Sequence, residues 1–229
     1  MRHLILIVAT TLAVTSAPPS LGAADHGGFM PLFNGKDLSG WTMGPDRSWV
    51  VEDGVITLKR THYDGKEHNA DYLWAIEPME NFVVELEFKV PANANSGIYL
   101  RTADRNDPVP TGLEVQVANS FGQTNLSRTG TAGAIYDCLA PTANPIRPPG
   151  EWNHYRITCI GPQIEVILNG VQVINMNLDQ WSQPNRNPDG SPNKFNTALK
   201  DFARKGYFGF QDHGRPVWYR NVRVKRLNP

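Results

Sequence analysis

The sequence has little of what marks most specialised protein classes. It holds only two cysteines, Cys138 and Cys159, and no Cys/His cluster at zinc spacing, so a structural zinc module is excluded. The two thiols are equally compatible with one disulfide and with two buried apolar side chains, because pairing depends on geometry. Basic and acidic side chains balance at 22 each, and no Lys/Arg run stands out. A nucleic-acid surface or an anionic-membrane surface therefore has no electrostatic footprint. No internal repeat is visible, which argues against a propeller, and helical periodicity is nearly missing. The one long apolar run, Leu4 to Val14, is too short for a bilayer core of roughly 30 Å.

That run has a different reading. Arg2 and His3 precede it, and small residues follow up to Ala23 and Ala24, the layout of a secretory leader. The expected signal peptide covers residues 1–24, with Asp25 opening the mature chain. No cysteine follows the apolar run, which argues against a lipoprotein anchor. Export to the periplasm or outside the cell is the resulting expectation, with no membrane span after cleavage. Residues 25–229 then make one domain, large enough to bury roughly 70% of its unfolded surface without covalent staples.

What the chain does contain is a series of short β-rich runs separated by Gly, Pro, Asn and Asp. Strands are expected at Trp49–Val51, Val55–Leu58, Tyr72–Ala75, Phe82–Val90, Ser96–Arg101, Leu113–Val117, Gly133–Tyr136, His154–Ile160, Gln163–Leu168, Val171–Asn177, Tyr207–Asp212 and Val217–Leu227. Asp53-Gly54, Gly161-Pro162 and Asn169-Gly170 read as hairpin turns, since the Asn-Gly pair suits positive φ at both positions. About a dozen such strands predict an all-β, antiparallel sandwich or jelly roll. Ala140–Pro149 and Leu178–Asn196, rich in Pro, Asn and Asp, read as long loops bordering a site.

Strand parity then sorts the polar residues, because successive side chains point to opposite faces. In Ser96–Arg101, Ile98 and Leu100 share one face, and Gly97, Tyr99 and Arg101 the other. In Leu113–Val117, Glu114 and Gln116 face away from three aliphatics. In the run from Tyr207 to His213, Phe208 and Phe210 point to the core, Gln211 and His213 away from it, and Asp212 is ambiguous. The predicted site is one polar, aromatic-lined sheet face: Arg101, Glu114, Gln116, Gln211 and His213, with Tyr99 and Tyr136 as platforms. Such a face suits sugar rings, whose hydroxyls seek hydrogen bonds while their C–H faces rest on aromatics. A merely solvated face is the bland alternative for Glu114 and Gln116. Ordinary glycosidases need two carboxylates about 5–9.5 Å apart. Here the strand reads Glu114-Val115-Gln116, an acid followed by an amide, so double-carboxylate hydrolysis is disfavoured.

Several ordered motifs carry a family resemblance. They are Leu32-Phe33-Asn34-Gly35-Lys36-Asp37-Leu38-Ser39-Gly40-Trp41, Asn95-Ser96-Gly97-Ile98-Tyr99-Leu100-Arg101, Gly112-Leu113-Glu114-Val115-Gln116, Glu151-Trp152-Asn153-His154-Tyr155 and Gln211-Asp212-His213-Gly214. With these the chain resembles the 3-keto-disaccharide hydrolase domain family (3-keto-glycoside hydrolases/lyases) over nearly all of its mature length. The resemblance implies a concanavalin A-like jelly roll, usually secreted or periplasmic, that cleaves sugars oxidised at carbon 3 by a separate sugar 3-dehydrogenase. A ketone there acidifies the neighbouring C–H, so a base can form an enolate from which the glycosidic oxygen leaves by β-elimination; water then adds. This needs one base, an enolate stabiliser and an acid.

The expected roles follow from that chemistry. Glu114 or His213 is the base, and Arg101 stabilises the enolate or orients Glu114. Gln116, Gln211 and Asp212 hold the substrate, and Tyr99, Tyr136 or Trp218 supports the ring. A divalent cation on Glu114 and His213 is an alternative enolate stabiliser. The competing function is a non-catalytic, lectin-like carbohydrate-binding module of the same fold. Convergence of Glu114, His213 and Arg101 in one pocket separates the two.

Overall fold

The structure, a computed structural model, describes residues 28–44, 47–59 and 71–228; the expected leader lies outside the described residues. Thirteen strands form among them: β1 (Met30–Pro31), β2 (Trp41–Met43), β3 (Trp49–Glu52), β4 (Val55–Leu58), β5 (Leu73–Ala75), β6 (Asn81–Lys89), β7 (Asn95–Thr102), β8 (Leu113–Ala118), β9 (Trp152–Ile160), β10 (Gln163–Leu168), β11 (Val171–Asn177), β12 (Tyr207–Phe210) and β13 (Trp218–Leu227). A short helix, α1 (Pro108–Thr111), and two single 3-10 turns complete the described elements. No described helix is long and apolar enough to cross a membrane.

Two antiparallel sheets face each other. The larger runs β11-β10-β9-β6-β13-β4-β3, with β1 added on β13, and the smaller runs β2-β5-β12-β7-β8. The alternation in the sequence explains the layering. Strand β9 buries every second residue, as does most of β10, the mark of a sheet with one face on the core. Between the sheets Phe210 stacks on Tyr219, ring centroids 3.9 Å apart, and on Trp41 at 5.4 Å. Phe88 stacks on Tyr155 at 4.6 Å. The antiparallel sandwich expected from the strand pattern is what forms.

Each expected strand appears within a residue or two of its expected bounds, with one exception. Gly133–Tyr136 forms only isolated bridges. Its backbone still bonds the edge of β8, through Tyr136 N–H to Glu114 O and Gln116 N–H to Ala134 O. Positive φ at Gly133 and Asp137 turns the chain before a ladder can extend. The hairpin at Asn169-Gly170 has positive φ at both residues, as a type I′ turn requires. β1 and β2 escaped sequence reading because they are too short to show alternation. Cys138 and Cys159 are both free and buried, and burial raises each thiol to about 12.

The two sheets differ on their outer faces, and this locates the site. Outside the larger sheet lie ion pairs, Glu85 with Arg156 and Arg223 and Glu87 with Arg220. The smaller sheet is covered instead: every residue of β8 is buried, including Glu114 at 4% exposure and Gln116 at 3%. A solvated sheet face does not account for them.

Candidate active site

Strand β8 presents Glu114 beside Tyr99 of β7, which it directly opposes. The Tyr99 hydroxyl donates to Glu114 Oε2 at 3.1 Å. Glu114 can lie flat because its diagonal neighbour is Gly97: a Cβ there would stand 2.4 Å from Oε1, closer than packing allows. Tyr99 meets Tyr72 edge-on at 5.1 Å.

A cavity of 390 Å³ opens over this group, lined by Tyr99, Glu114, Tyr136, Lys194, Gln211 and His213, with Asn95 and Asp137 at its wall. The predicted residues Glu114, His213, Gln211, Tyr99 and Tyr136 therefore do converge. Gln211 is fixed by its backbone, its N–H on Gly97 O and its carbonyl accepting from Ser96 Oγ at 2.7 Å. Asp212 is buried, and its carboxylate accepts the Gly214 N–H at 2.7 Å. That short turn carries the exposed His213 at the cavity edge. Gln116 donates through Nε2 to Asn95 Oδ1 and Thr129 O, so its amide is oriented. Its Oε1 and that of Gln211 are buried acceptors without a protein partner, and buried acceptors of this kind are costly unless something donates to them.

Two expected members stand elsewhere. Arg101 does not join Glu114. Tyr207 opposes Thr102 and Gly209 opposes Tyr99, so β7 carries one extra residue, and Arg101 takes φ +50. Such a bulge resets the alternation. The guanidinium turns to the end of the sandwich, donating to Glu80 O at 2.8 Å and Gly161 O at 2.6 Å. Trp218 precedes the core residue Tyr219 on β13, so it faces outward from the larger sheet, with Lys89 Nζ 4.9 Å above its ring. Parity alone could have placed Trp218; the bulge at Arg101 left no sequence signal.

The residue that sequence reading missed is Lys194. It sits in the loop expected to border the site, where strand parity has no hold. Trp181 and Phe195 anchor that loop in the core. Asn187 ties it together by accepting from Trp181 Nε1 and Asn193 Nδ2. Asp137 docks it, its Oδ2 accepting the Lys194 N–H at 2.7 Å and its carbonyl accepting from Asn187 Nδ2 at 3.1 Å. The Lys194 ammonium lies 4.8 Å from the Tyr136 ring centroid.

Electrostatics sharpen the pair. Burial pushes the Glu114 carboxyl up to about 7, against the lowering effect of the Lys194 cation and the Tyr99 hydrogen bond. Burial lowers Lys194 below the usual lysine range, with Glu114 pulling the other way. Opposed shifts in one cavity are the pattern of an acid–base site. Among the described residues no three His, Cys, Asp or Glu side chains gather as metal ligands.

Comparisons with known proteins agree with this fold. Residues 28–225 match the model of the 3-keto-alpha-glucoside-1,2-lyase-like domain. A 3-keto-disaccharide hydrolase of Bacteroides thetaiotaomicron is 27% identical, over 89% of this chain and 80% of its own length. The crystal structure of a candidate glycosyl hydrolase from Parabacteroides distasonis superimposes with a TM-score of 0.76 at 32% identity, over 87% of this chain and 99% of its own. A second from that organism gives 0.68 at 27% identity, over 88% and 95%. With a match from one end of the described sandwich to the other, the chain belongs to the 3-keto-alpha-glucoside-1,2-lyase-like domain family.

Proposed function

We propose that the protein is a carbohydrate-active hydrolase that cleaves 3-keto-glycosides by β-elimination followed by hydration. The observation that carries this reading is the buried Glu114 carboxyl, raised to about 7, in the same cavity as the Lys194 cation. A base poised near neutrality suits removal of a proton next to a ketone. Glu114 takes the C2 proton, and the electron pair moves into the C2–C3 bond as the ketone oxygen becomes an enolate. Lys194, in the place first given to Arg101, stabilises that negative charge. The enolate then collapses to a C1–C2 double bond, the C1–O bond breaks, and His213 protonates the departing oxygen. Water adds to C1 while the proton returns to C2, which makes the net reaction a hydrolysis. Gln211 supplies its unpartnered carbonyl oxygen to a sugar hydroxyl, Gln116 lies behind the cavity wall and holds Asn95 in place, and Tyr136 flanks the ring.

In this reading Asp137 is not a second catalytic carboxylate, since its Oδ2 is engaged by the Lys194 N–H. Glu114 and His213 could contribute two ligands to a cation, but no step requires one. Export, and supply of the substrate by a separate sugar 3-dehydrogenase, belong to the same proposal. Incubation with a 3-keto-disaccharide and its unoxidised parent, with and without chelator, tests it. Only the ketone should be cleaved, and Glu114→Gln should abolish cleavage. Equal turnover of the parent, or full activity in Glu114→Gln, overturns the reading; loss of activity with chelator would place a metal in it.

A further inference from the structure

Lys194 alone among the described lysines lines the Glu114 cavity, and its amine is held bare. The main chain beneath it is pinned, with its N–H on Asp137 Oδ2 at 2.7 Å. The next residue, Phe195, is buried and meets Phe202 edge-on at 5.2 Å. Nζ lies 4.8 Å from the Tyr136 ring centroid and 5.2 Å from that of Phe195. No hydrogen bond or ion pair among the described residues engages it. A lysine kept only for its charge gains from acceptors around its three N–H groups; here ring contact alone holds the proton.

We propose that this amine condenses with the ketone of the substrate, so that elimination runs through an iminium and an enamine on Lys194. The inference rests on the elimination reading of the cavity and names where the electron pair from C2 goes: onto a covalently attached nitrogen in place of an enolate oxygen.

The bonds balance with residues already in the cavity. The Nζ lone pair adds to C3, and the carbonyl oxygen takes a proton to give a carbinolamine. Protonated Glu114 releases that oxygen as water while nitrogen forms the C=N bond. The iminium carries a full positive charge next to C2 and acidifies its C–H further. Glu114, now the carboxylate, removes the C2 proton; the C–H pair becomes C2=C3 and the C=N pair returns to nitrogen. Nitrogen then pushes back, the double bond moves to C1–C2, and the C1–O pair leaves on the oxygen that His213 protonates. Water adds to C1, the proton returns to C2, and a second water hydrolyses the iminium. One water is released and two are consumed, so the net reaction remains a hydrolysis.

The electrostatics of the cavity support the sequence of steps. Burial lowers Lys194 below the usual lysine range, which raises the share of neutral amine, the form that attacks a carbonyl. Glu114, raised to about 7, holds both protonation states near neutrality, as an acid for one step and a base for the next requires.

Reductive trapping tests the covalent step. Wild type is mixed at about pH 7 with methyl 3-keto-glucoside and cyanoborohydride, which reduces iminium ions much faster than ketones. Peptide mapping should find one adduct per chain, on Lys194, heavier than lysine by the sugar less one oxygen atom, and activity should fall in step with it. The unoxidised methyl glucoside should give none. No adduct on Lys194, or labelling no greater than on surface lysines, overturns the covalent step. Lys194→Arg keeps the charge but cannot condense, and should lose at least about 100-fold in kcat, the size of losing a reacting group. A folded Lys194→Arg enzyme within about tenfold of wild type, as a purely electrostatic role allows, also overturns the proposal. If circular dichroism shows that this variant is misfolded, trapping alone decides. Cleavage of the ketone without an adduct removes the covalent step and leaves the elimination reading standing. An adduct on Lys194 without cleavage does the reverse.

Discussion

Glu114 lies over Gly97, with so little room between them that a methyl group on Gly97 would reach to 2.4 Å from the carboxylate. Gly97 sits in an ordinary strand and does not need positive φ, so its purpose is space. Gly97→Ala should fold, with a stability cost of about 1–3 kcal/mol from overpacking. It should also displace Glu114 and lower kcat about 100-fold, as small misplacements of a reacting group do. Circular dichroism with single-turnover kinetics checks both, and an unchanged kcat would separate Glu114 from the chemistry.

The pH profile follows from the same carboxyl. A base raised to about 7 is active when deprotonated, so kcat/KM should climb as the pH rises toward 7. Below that point it should fall by about tenfold per pH unit. Lys194 holds the carboxyl down from a still higher value. Removing the cation disfavours the carboxylate, so Lys194→Met should move the acid limb to higher pH as well as lowering kcat. An acid limb that stays in place, or moves to lower pH, contradicts the pairing of these residues.

Arg101 gives the opposite expectation. Its guanidinium satisfies the Glu80 and Gly161 carbonyls, so Arg101→Ala should destabilise the fold by about 2–4 kcal/mol through unpaired buried groups. Catalysis below the lowered melting temperature should stay within about twofold of wild type, because no contact to Glu114 is lost. Thermal melts read alongside kcat/KM distinguish this from a catalytic role, which would collapse activity at unchanged Tm.

Cys138 and Cys159 offer a chemical check. Both thiols are free, buried and raised to about 12, so a thiol reagent at pH 8 should react slowly with native protein. Unfolding should then release two titratable thiols per chain, and intact mass should be the same with and without reductant. A mass lower by two hydrogens before reduction would mean a bond that this fold does not show.

Much of this was legible in the sequence, for reasons that also explain the failures. Alternation placed Glu114, Tyr99, Gln116 and Gln211 on one face because β7 and β8 run regularly between Asn95 and Leu100 and opposite them. It failed at Arg101, one residue further, where a bulge reverses the facing. Trp218 has the aromatic character of a sugar platform, but its parity against the core residue Tyr219 puts it on the outer face of the larger sheet. Lys194 could not be found by any periodic argument. Its position depends on Asp137 and Asn187, polar contacts between distant loops that leave no local pattern.

That docking contact bears on how the protein becomes active at all. Asp137 and Lys194 are 57 residues apart in the chain, and closing such a span costs conformational entropy before any contact repays it. Pairing of the two sheets does not deliver the cation. A nascent sandwich with every strand in register but this loop undocked would hold Glu114 beside Tyr99 with no positive charge to face. Chemical competence is then a stricter measure of complete folding than β-sheet content, and the two should part company first in mild denaturant.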